Sequence, residues 1–295
     1  FFFDMRTSGV SFFGVSIAVL LCLLLAPCAR SEDEGGEIEP VKVAVLGLGN
    51  MGCAAAMRLS GTNIQVSVWN RSPNRCPQLP ANVSRASTAE AACKSADIVL
   101  LMLSNANATN AVLQTVDHRT MSDVLAIVNL NSASSVEAKE LEEAYGTYAY
   151  ISGVMLADPS GLINGQCPMY LGGPEDVFDL ARPVLEFLGT SMLVGSTADV
   201  PVIYDQAIVS SLLAYMHAIS VGDALIRSAG LPVGPFASFM DALDVRPFGK
   251  RLLEVHETQK YESTDGEFST NLVADFYKHG LATCRDVGLA SCGFL

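Results

Sequence analysis

Three glycines at fixed spacing constrain what this 295-residue chain can fold into more than any other feature. Gly47, Gly49 and Gly52 spell G-x-G-x-x-G between an apolar run, Val43–Leu46, and an alanine-rich stretch of helical character. A second alternating run follows at Gln65–Trp69, so residues 41–75 read as strand, glycine turn, helix, strand. In that setting Gly47 makes the tight turn and Gly49 lets backbone N–H groups approach a pyrophosphate. Gly52 lets the helix pack closely on the strand, and the helix N-terminus faces the phosphates. The stretch Gly47, Leu48, Gly49, Asn50, Met51 and Gly52 is therefore predicted to cradle a dinucleotide. The competing reading is a glycine-rich loop in a nucleotide-free α/β domain.

The end of the second strand distinguishes the two nicotinamide dinucleotides. An acidic residue there would accept hydrogen bonds from the ribose hydroxyls and would repel a 2′-phosphate. This chain has Asn70, Arg71 and Ser72, with Arg75 just beyond. A guanidinium pairs with a phosphate bidentately, so NADPH is the expected cofactor. The alternative for Arg71 is a solvated loop cation.

Half of the residues are hydrophobic, enough for a substantial core, and the net charge of −13 makes nucleic acid an unsuitable partner. Part of that hydrophobicity lies at the start. Met5-Arg6, the apolar stretch Val10–Pro27 and small residues around Cys28 describe a signal peptide over residues 1–30, with an acidic linker at 31–40. The expected address is the secretory pathway, in the ER lumen or outside the cell. The rival reading is an uncleaved membrane anchor, since about 18 apolar residues can just span a bilayer. Beyond the leader, Cys53, Cys76, Cys93, Cys167, Cys284 and Cys292 are scattered without a C-x-x-C pair, and no metal site is expected. Cys53 and Cys93 read as small core residues; a secretory address permits disulfides, but the spacing points to none. Sequons stand at Asn70, Asn82 and Asn107, the first inside the predicted cofactor pocket.

From Arg75 onward helix and strand alternate. Ser87-x-x-Glu90 reads as a capping box before the apolar strand Ile98–Leu103, and Ser104–Asp123 as a polar crossover before a strand at Leu125–Leu130. A second box, Ser134-x-x-Glu137, opens a helix ending near Tyr145. Strands are expected at Tyr148–Val154, Met169–Leu171 and Met192–Val194, with a helix after Gly173 that has Pro174 in its first position. Repeated strand–helix units predict a Rossmann-type parallel sheet covered on both faces, over residues 41–196. Ser104 and Asn105, and Asn129 and Ser132, follow strand ends, where ligands sit in open sheets of this kind.

After Gly195 the pattern is all helical. One long helix runs from Val200 to Ala229, with Asp199 as cap and Pro201 tolerated in the first turn, and Gly230-Leu231-Pro232 ends it. Helical stretches follow at Val233–Leu243, Phe248–His256 and Phe268–Val287. Residues 197–295 thus read as a helical C-terminal domain for substrate and dimer contacts, joined by a long interdomain helix whose apolar faces call for burial on several sides. His217, Tyr215 and Met216 read as core or dimer packing, and His256 and His279 have no partner suggested by spacing.

With VAVLGLGNMG, VWNRS, the segment AYISGVMLADPSG and the glycine before the long helix, the chain resembles the beta-hydroxyacid dehydrogenase superfamily, which includes the 6-phosphogluconate dehydrogenase type of NADP-binding domain. The resemblance covers about Val41 to Ala290 and implies a nicotinamide near the start of the interdomain helix. Dehydrogenases of this superfamily carry a catalytic Lys early in that helix. Here no Lys occurs between Lys139 and Lys250, and the helix reads Tyr204-Asp205-Gln206 instead. A Tyr-Asp pair at this place, an apolar proline-containing segment (Val154–Pro159) and a helix ending Ser228-Ala229-Gly230 are closer to imine reductases and reductive aminases. Two positions differ from that branch: Ser152 stands where it commonly has Asp, and Asp199 where it has Gly. In the dehydrogenases a Ser at the place of Ser152 contacts substrate; a turn role is the alternative.

The resemblance implies NADPH-dependent hydride transfer to an imine or carbonyl, in a homodimer, with Asp205 as the proton donor or counter-charge and Tyr204 as the second candidate. Two other readings compete: a carbonyl or hydroxyacid oxidoreductase that works without the Lys, and a non-catalytic NADP-binding protein.

Overall fold

The computed structural model describes residues 40–243, 278–279 and 283–289. The leader, the acidic linker up to Glu39, the stretch Phe248–His256 and most of Phe268–Val287 lie outside the described residues, as does Cys292.

Eight strands form one sheet in the order β3-β2-β1-β4-β5-β6-β7-β8. They are β1 (Lys42–Leu46), β2 (Gln65–Trp69), β3 (Ser84–Arg85), β4 (Ile98–Leu101), β5 (Ala126–Asn129), β6 (Tyr150–Met155), β7 (Met169–Gly172) and β8 (Ser191–Gly195). β1 is flanked by β2 and β4, so the chain winds one way and then the other from it. The gap between those two directions is where open parallel sheets take ligands. β1 to β6 are parallel, as expected; β7 runs antiparallel to β6, which corrects the all-parallel expectation. Leu156–Pro168 holds only one short helix, α6 (Pro159–Ile163), and turns back at the same end of the strands instead of crossing the sheet.

The two sides of the sheet are read directly from alternation along the strands. Val43 and Val45 of β1, with Ile98 and Leu100 of β4, share one core with α1 (Asn50–Ser60), α6 and α7 (Glu175–Leu188). Ala44, Leu46, Val99 and Leu101 face the other way, against α2 (Ala89–Cys93), α3 (Ala106–Leu113), α4 (His118–Asp123) and α5 (Ser135–Tyr145). The helices α3 and α4 occupy what reads in sequence as a polar crossover. Their faces are short and mostly polar, and each is started by a side-chain cap, Asn105 and Asp117.

The expected capping box at Ser134 and Glu137 forms in full. The one at Ser87 and Glu90 does not. Thr88 is the cap, accepting from the Ala91 N–H, and Glu90 turns away to accept from the Asp117 N–H and the Thr120 hydroxyl. Pro174 is the residue before α7, not its first helical position.

One line across the sheet positions the site. Trp69, Leu46, Leu101, Asn129, Ser152 and Gly172 stand opposite one another in successive strands, marking where β1, β2, β4 and β5 end. The long helix α8 (Asp199–Ser228) begins on this line, because a Cβ on Gly172 would fall 2.2 Å from the Thr197 carbonyl oxygen and 2.6 Å from Pro201 Cδ. Ala198 and Val202 are buried in the second core, beside Leu46 and Leu101. Farther along, the Tyr204 ring meets the Tyr170 ring edge-on at 5.7 Å. Tyr170 lies two residues beyond Gly172 along the sheet, so Tyr204 and Asp205 stand past the ends of the parallel strands.

The chain divides into two compact units between Ala207 and Ile208, within α8. In the second unit α8 packs closely on α9 (Gly234–Ala242): a Cβ on Gly222 would come within 2.5 Å of the Phe236 ring.

Candidate functional site

The glycines of the motif have different physical reasons, and the difference locates the site. Gly47 has a φ of +102°, and a Cβ there would stand 2.4 Å from the Met102 carbonyl oxygen. A Cβ on Gly52 would stand 1.9 Å from the Gly47 carbonyl oxygen. Both are glycine because the protein's own packing demands it. Gly49 is not: its φ of −67° suits any residue, and a Cβ would meet nothing within 4 Å. The room beside Gly49 opens over the start of α1, whose first N–H groups find no side-chain cap. A dipole-favoured anion site with space above it fits the pyrophosphate of a dinucleotide.

The remaining motif residues divide in two. Asn50 is exposed and Met51 half-buried at the head of α1, where their N–H groups are available to phosphate. Leu48 is buried, and its N–H already donates to Asn70 Oδ1 at 2.9 Å, so it shapes the turn. Asn70 also donates from Nδ2 to the Ser72 carbonyl at 2.9 Å, which commits its amide to the fold. Arg71, Ser72 and Arg75 are exposed on the loop after β2. Two guanidinium-bearing residues thus follow directly on a clamp between that loop and the glycine turn.

On the other side of the gap Ser104 is exposed, while Asn105 caps α3 by accepting from the Ala108 N–H. Ser132 is exposed beyond β5. Asn129, in contrast, is fully buried; it donates to Asn131 Oδ1 at 3.0 Å, and Asn131 donates to the Thr109 hydroxyl at 2.8 Å. That internal chain ties the end of β5 to α3. Ser152 lies inside β6 and is buried, so it is neither at a turn nor at a surface.

Cys53 and Cys76, which sequence reading treats as unpaired, form a disulfide with 5.7 Å between their Cα atoms. Their spacing hid it, since one lies in a helix and the other in a loop. Cys93 and Cys167 are buried thiols, pushed up by burial to about 12 and about 11, and are unreactive at neutral pH. Cys284 is disulfide-bonded.

At the start of α8 the Asp199 carboxylate accepts from the Thr197 hydroxyl at 2.7 Å and pairs with Lys139 of α5 at 3.0 Å. The Thr197 hydrogen bond, with Lys139 adding to it, holds its carboxyl below the ordinary aspartate range. The Ala198 N–H donates to Glu142 of the same helix. Asp205, six residues on, is half-buried, and burial pushes its carboxyl above the ordinary value. Tyr204 is 49% exposed, so its hydroxyl-bearing ring is open to a ligand on the side away from Tyr170. Two aspartates six residues apart on one helix are thus shifted in opposite directions, one lowered by hydrogen bonding and Lys139 and one raised by burial.

Residues 42–196 match the family described as the NAD binding domain of 6-phosphogluconate dehydrogenase. The chain belongs to this family. Membership makes it a nicotinamide-dinucleotide-dependent oxidoreductase. An NADPH-dependent reductive aminase from Aspergillus oryzae is 27% identical over 198 residues, 63% of this chain and 64% of that protein. A 2-hydroxy-3-oxopropionate reductase from Escherichia coli is 25% identical over 233 residues, 76% of this chain and 77% of its own length. Among solved structures, an imine reductase from Myxococcus stipitatus in complex with NADP+ superposes with a TM-score of 0.75 at 21% identity. That match covers 84% of this chain and 88% of the other, and at that identity it shows the shared fold.

If the open space at Gly49 serves the cofactor, Gly49→Ala folds as stably as the wild type and loses dinucleotide affinity by about tenfold or more, one 1.4 kcal/mol step. Thermal unfolding beside a cofactor-fluorescence titration reads both; equal affinity in the variant would show that the pyrophosphate lies elsewhere.

Proposed function

We propose that the protein is an NADPH-dependent reductase of C=N bonds, of the imine reductase or reductive aminase type. The observation that carries this reading is the turn of α8 past the strand ends, which holds Tyr204 and a carboxyl raised by burial, with no Lys in the helix. A hydroxyacid dehydrogenase needs an ammonium there to steady an alkoxide; a C=N substrate needs one proton on nitrogen or an anion beside an iminium. The similarity to the A. oryzae reductive aminase supports the same reading. The exposed Arg71 and Arg75, in place of an acidic residue after β2, favour the 2′-phosphate of NADPH.

When bound, NADPH supplies the hydride to the C=N carbon. The chain's own part is to orient and to protonate. The head of α1 holds the pyrophosphate, and Arg71 and Arg75 hold the adenosine end. Asp205, its carboxyl raised above the ordinary value by burial, gives a proton to the imine nitrogen and leaves a neutral amine. With a preformed iminium it acts as counter-charge instead. Tyr204 is the second donor within the same turn.

The assembly we propose is a homodimer formed through α8. In the single chain this helix exposes Ile203, Ile208, Leu212, Leu213 and Met216, and by length and composition it would also suffice to cross a membrane. A soluble enzyme covers such a surface with a second copy. The Cys53–Cys76 disulfide supports the secretory address read from residues 1–30, because such bonds persist in oxidising compartments.

Each part of this reading has its own test. Arg71→Ala loses about 1.5–3 kcal/mol of NADPH affinity, the worth of a charge-assisted hydrogen bond, and leaves NADH affinity unchanged. Asp205→Asn keeps NADPH affinity, while reduction of a neutral imine falls by about 10²–10⁴ and that of a preformed iminium falls much less. In the wild type the neutral-imine rate falls as pH rises through the Asp205 pKa, which lies above the ordinary value of about 3.9, and the variant lacks that limb. Turnover of a keto acid with none of a cyclic imine would select the carbonyl reading, and cofactor binding without turnover the non-catalytic one. Light scattering at micromolar concentration should give twice the chain mass, and an active monomer would refute the dimer.

A further inference from the structure

We infer that the Cys53–Cys76 disulfide is a positioning element for 2′-phosphate recognition: it holds the arginine loop against the head of α1, so that selectivity for NADPH over NADH depends on it. The inference rests on the reading of Arg71 and Arg75 as phosphate contacts.

The loop between Asn70 and Cys76 is tied at one end to the glycine motif and at the other to the first turn of α1. At its start Asn70 accepts from the Leu48 N–H, inside the motif. At its end Cys76 is bonded to Cys53, the residue next to Gly52. Between these two ties Arg71, Ser72 and Arg75 are exposed, and the Ser72 carbonyl shapes the arch by accepting from Asn70 Nδ2 at 2.9 Å and from the Arg75 N–H at 3.3 Å. Cys76 is a left-handed residue, with φ +54°, a conformation that a non-glycine residue keeps only where its surroundings fix it. Those surroundings are present. Arg85 donates to the carbonyl oxygens of both Arg75 and Cys76, and the buried Cys76 side chain ends on Cys53, whose sulfur also receives the Gln78 amide at 3.1 Å. Each of these groups is engaged within the loop and its anchors. They set where the two guanidinium groups start from, and a cation already in place loses less freedom when it binds than one that has to be ordered.

The pyrophosphate end does not share this dependence. It is built from the backbone of α1, and the contacts at Gly47 and Gly52 hold that backbone without the disulfide. The two cofactors differ only in the phosphate that the arch would meet, so their ratio isolates the brace from general stability.

The test uses the full chain carrying Cys76→Ser, and separately Cys53→Ser with Cys76→Ser, titrated with NADPH and with NADH by cofactor fluorescence. NADPH binding should weaken by about tenfold and NADH binding by less than about threefold, the cost falling on arginines that have lost their preset positions. Adding Arg71→Ala to Cys76→Ser should then cost less than Arg71→Ala does in the wild type, because the two changes act on one contact. NADH affinity reports that the variant is folded. A wild type that discriminates, with Cys variants that discriminate equally well, overturns the brace and leaves the reading of Arg71 standing. Equal loss of both cofactors also overturns it, since the disulfide would then support the whole site. A wild type that binds NADPH and NADH alike overturns the reading of Arg71 and the brace together.

Discussion

Gly52 leaves no room for a side chain because the carbonyl of Gly47 lies where its Cβ would be, and Gly47 in turn presses on the backbone after β4. This stack of three backbones, turn on helix and turn on strand, fixes how close α1 comes to the sheet and which way its N-terminus points. Every candidate ligand contact is referred to that point. The Leu48 N–H ties the loop after β2 to it, and the gap between β1 and β4 is bounded by it. A polar pair can be replaced by a different polar pair, but a backbone approaching at this distance admits no substitute, and the rest of the site inherits its coordinates.

The far side of the site is fixed by different means. α8 begins with a tight approach to Gly172, and then charge takes over, with Lys139 and Glu142 of α5 holding Asp199 and the Ala198 N–H. These contacts use up the charged groups at the helix start. Asp205 has no such partner among the groups that set its acidity, and burial alone raises it. A chemically useful carboxyl therefore arises from what is withheld from it: the ion pair sits one and a half turns earlier, where it anchors the helix.

Much of this was legible in the sequence, and the parts that were not share a physical cause. The glycine turn, β2, the box at Ser134 and the long helix are governed by residues within a few positions of each other, so local spacing reveals them. Strand direction is not local. Met169–Gly172 alternates in the same way whichever way it runs, and only its partner in β6 decides. Ser87 and Thr88 are both competent caps, and Glu90 chose between them by bonding to residues 117 and 120. Asn129 looked like a ligand residue because it ends a strand; its burial depends on Asn131 and Thr109, brought in by a helix that reads as polar loop. The disulfide was hidden for the same reason, since no pattern in the sequence sets Cys76 beside the first turn of a helix that begins before β2.

Rooting α8 at the strand ends also sets how precisely its first turns can be placed. With a rise of about 1.5 Å per residue, Asp205 lies about 6 Å along the helix from Pro201, the residue that meets Gly172. Little more than one turn of hydrogen-bonded backbone separates the contact from the carboxyl, too short a length for bending to accumulate. A proton donor at that distance takes its alignment from the sheet, as the jaw of a vice takes it from the bed.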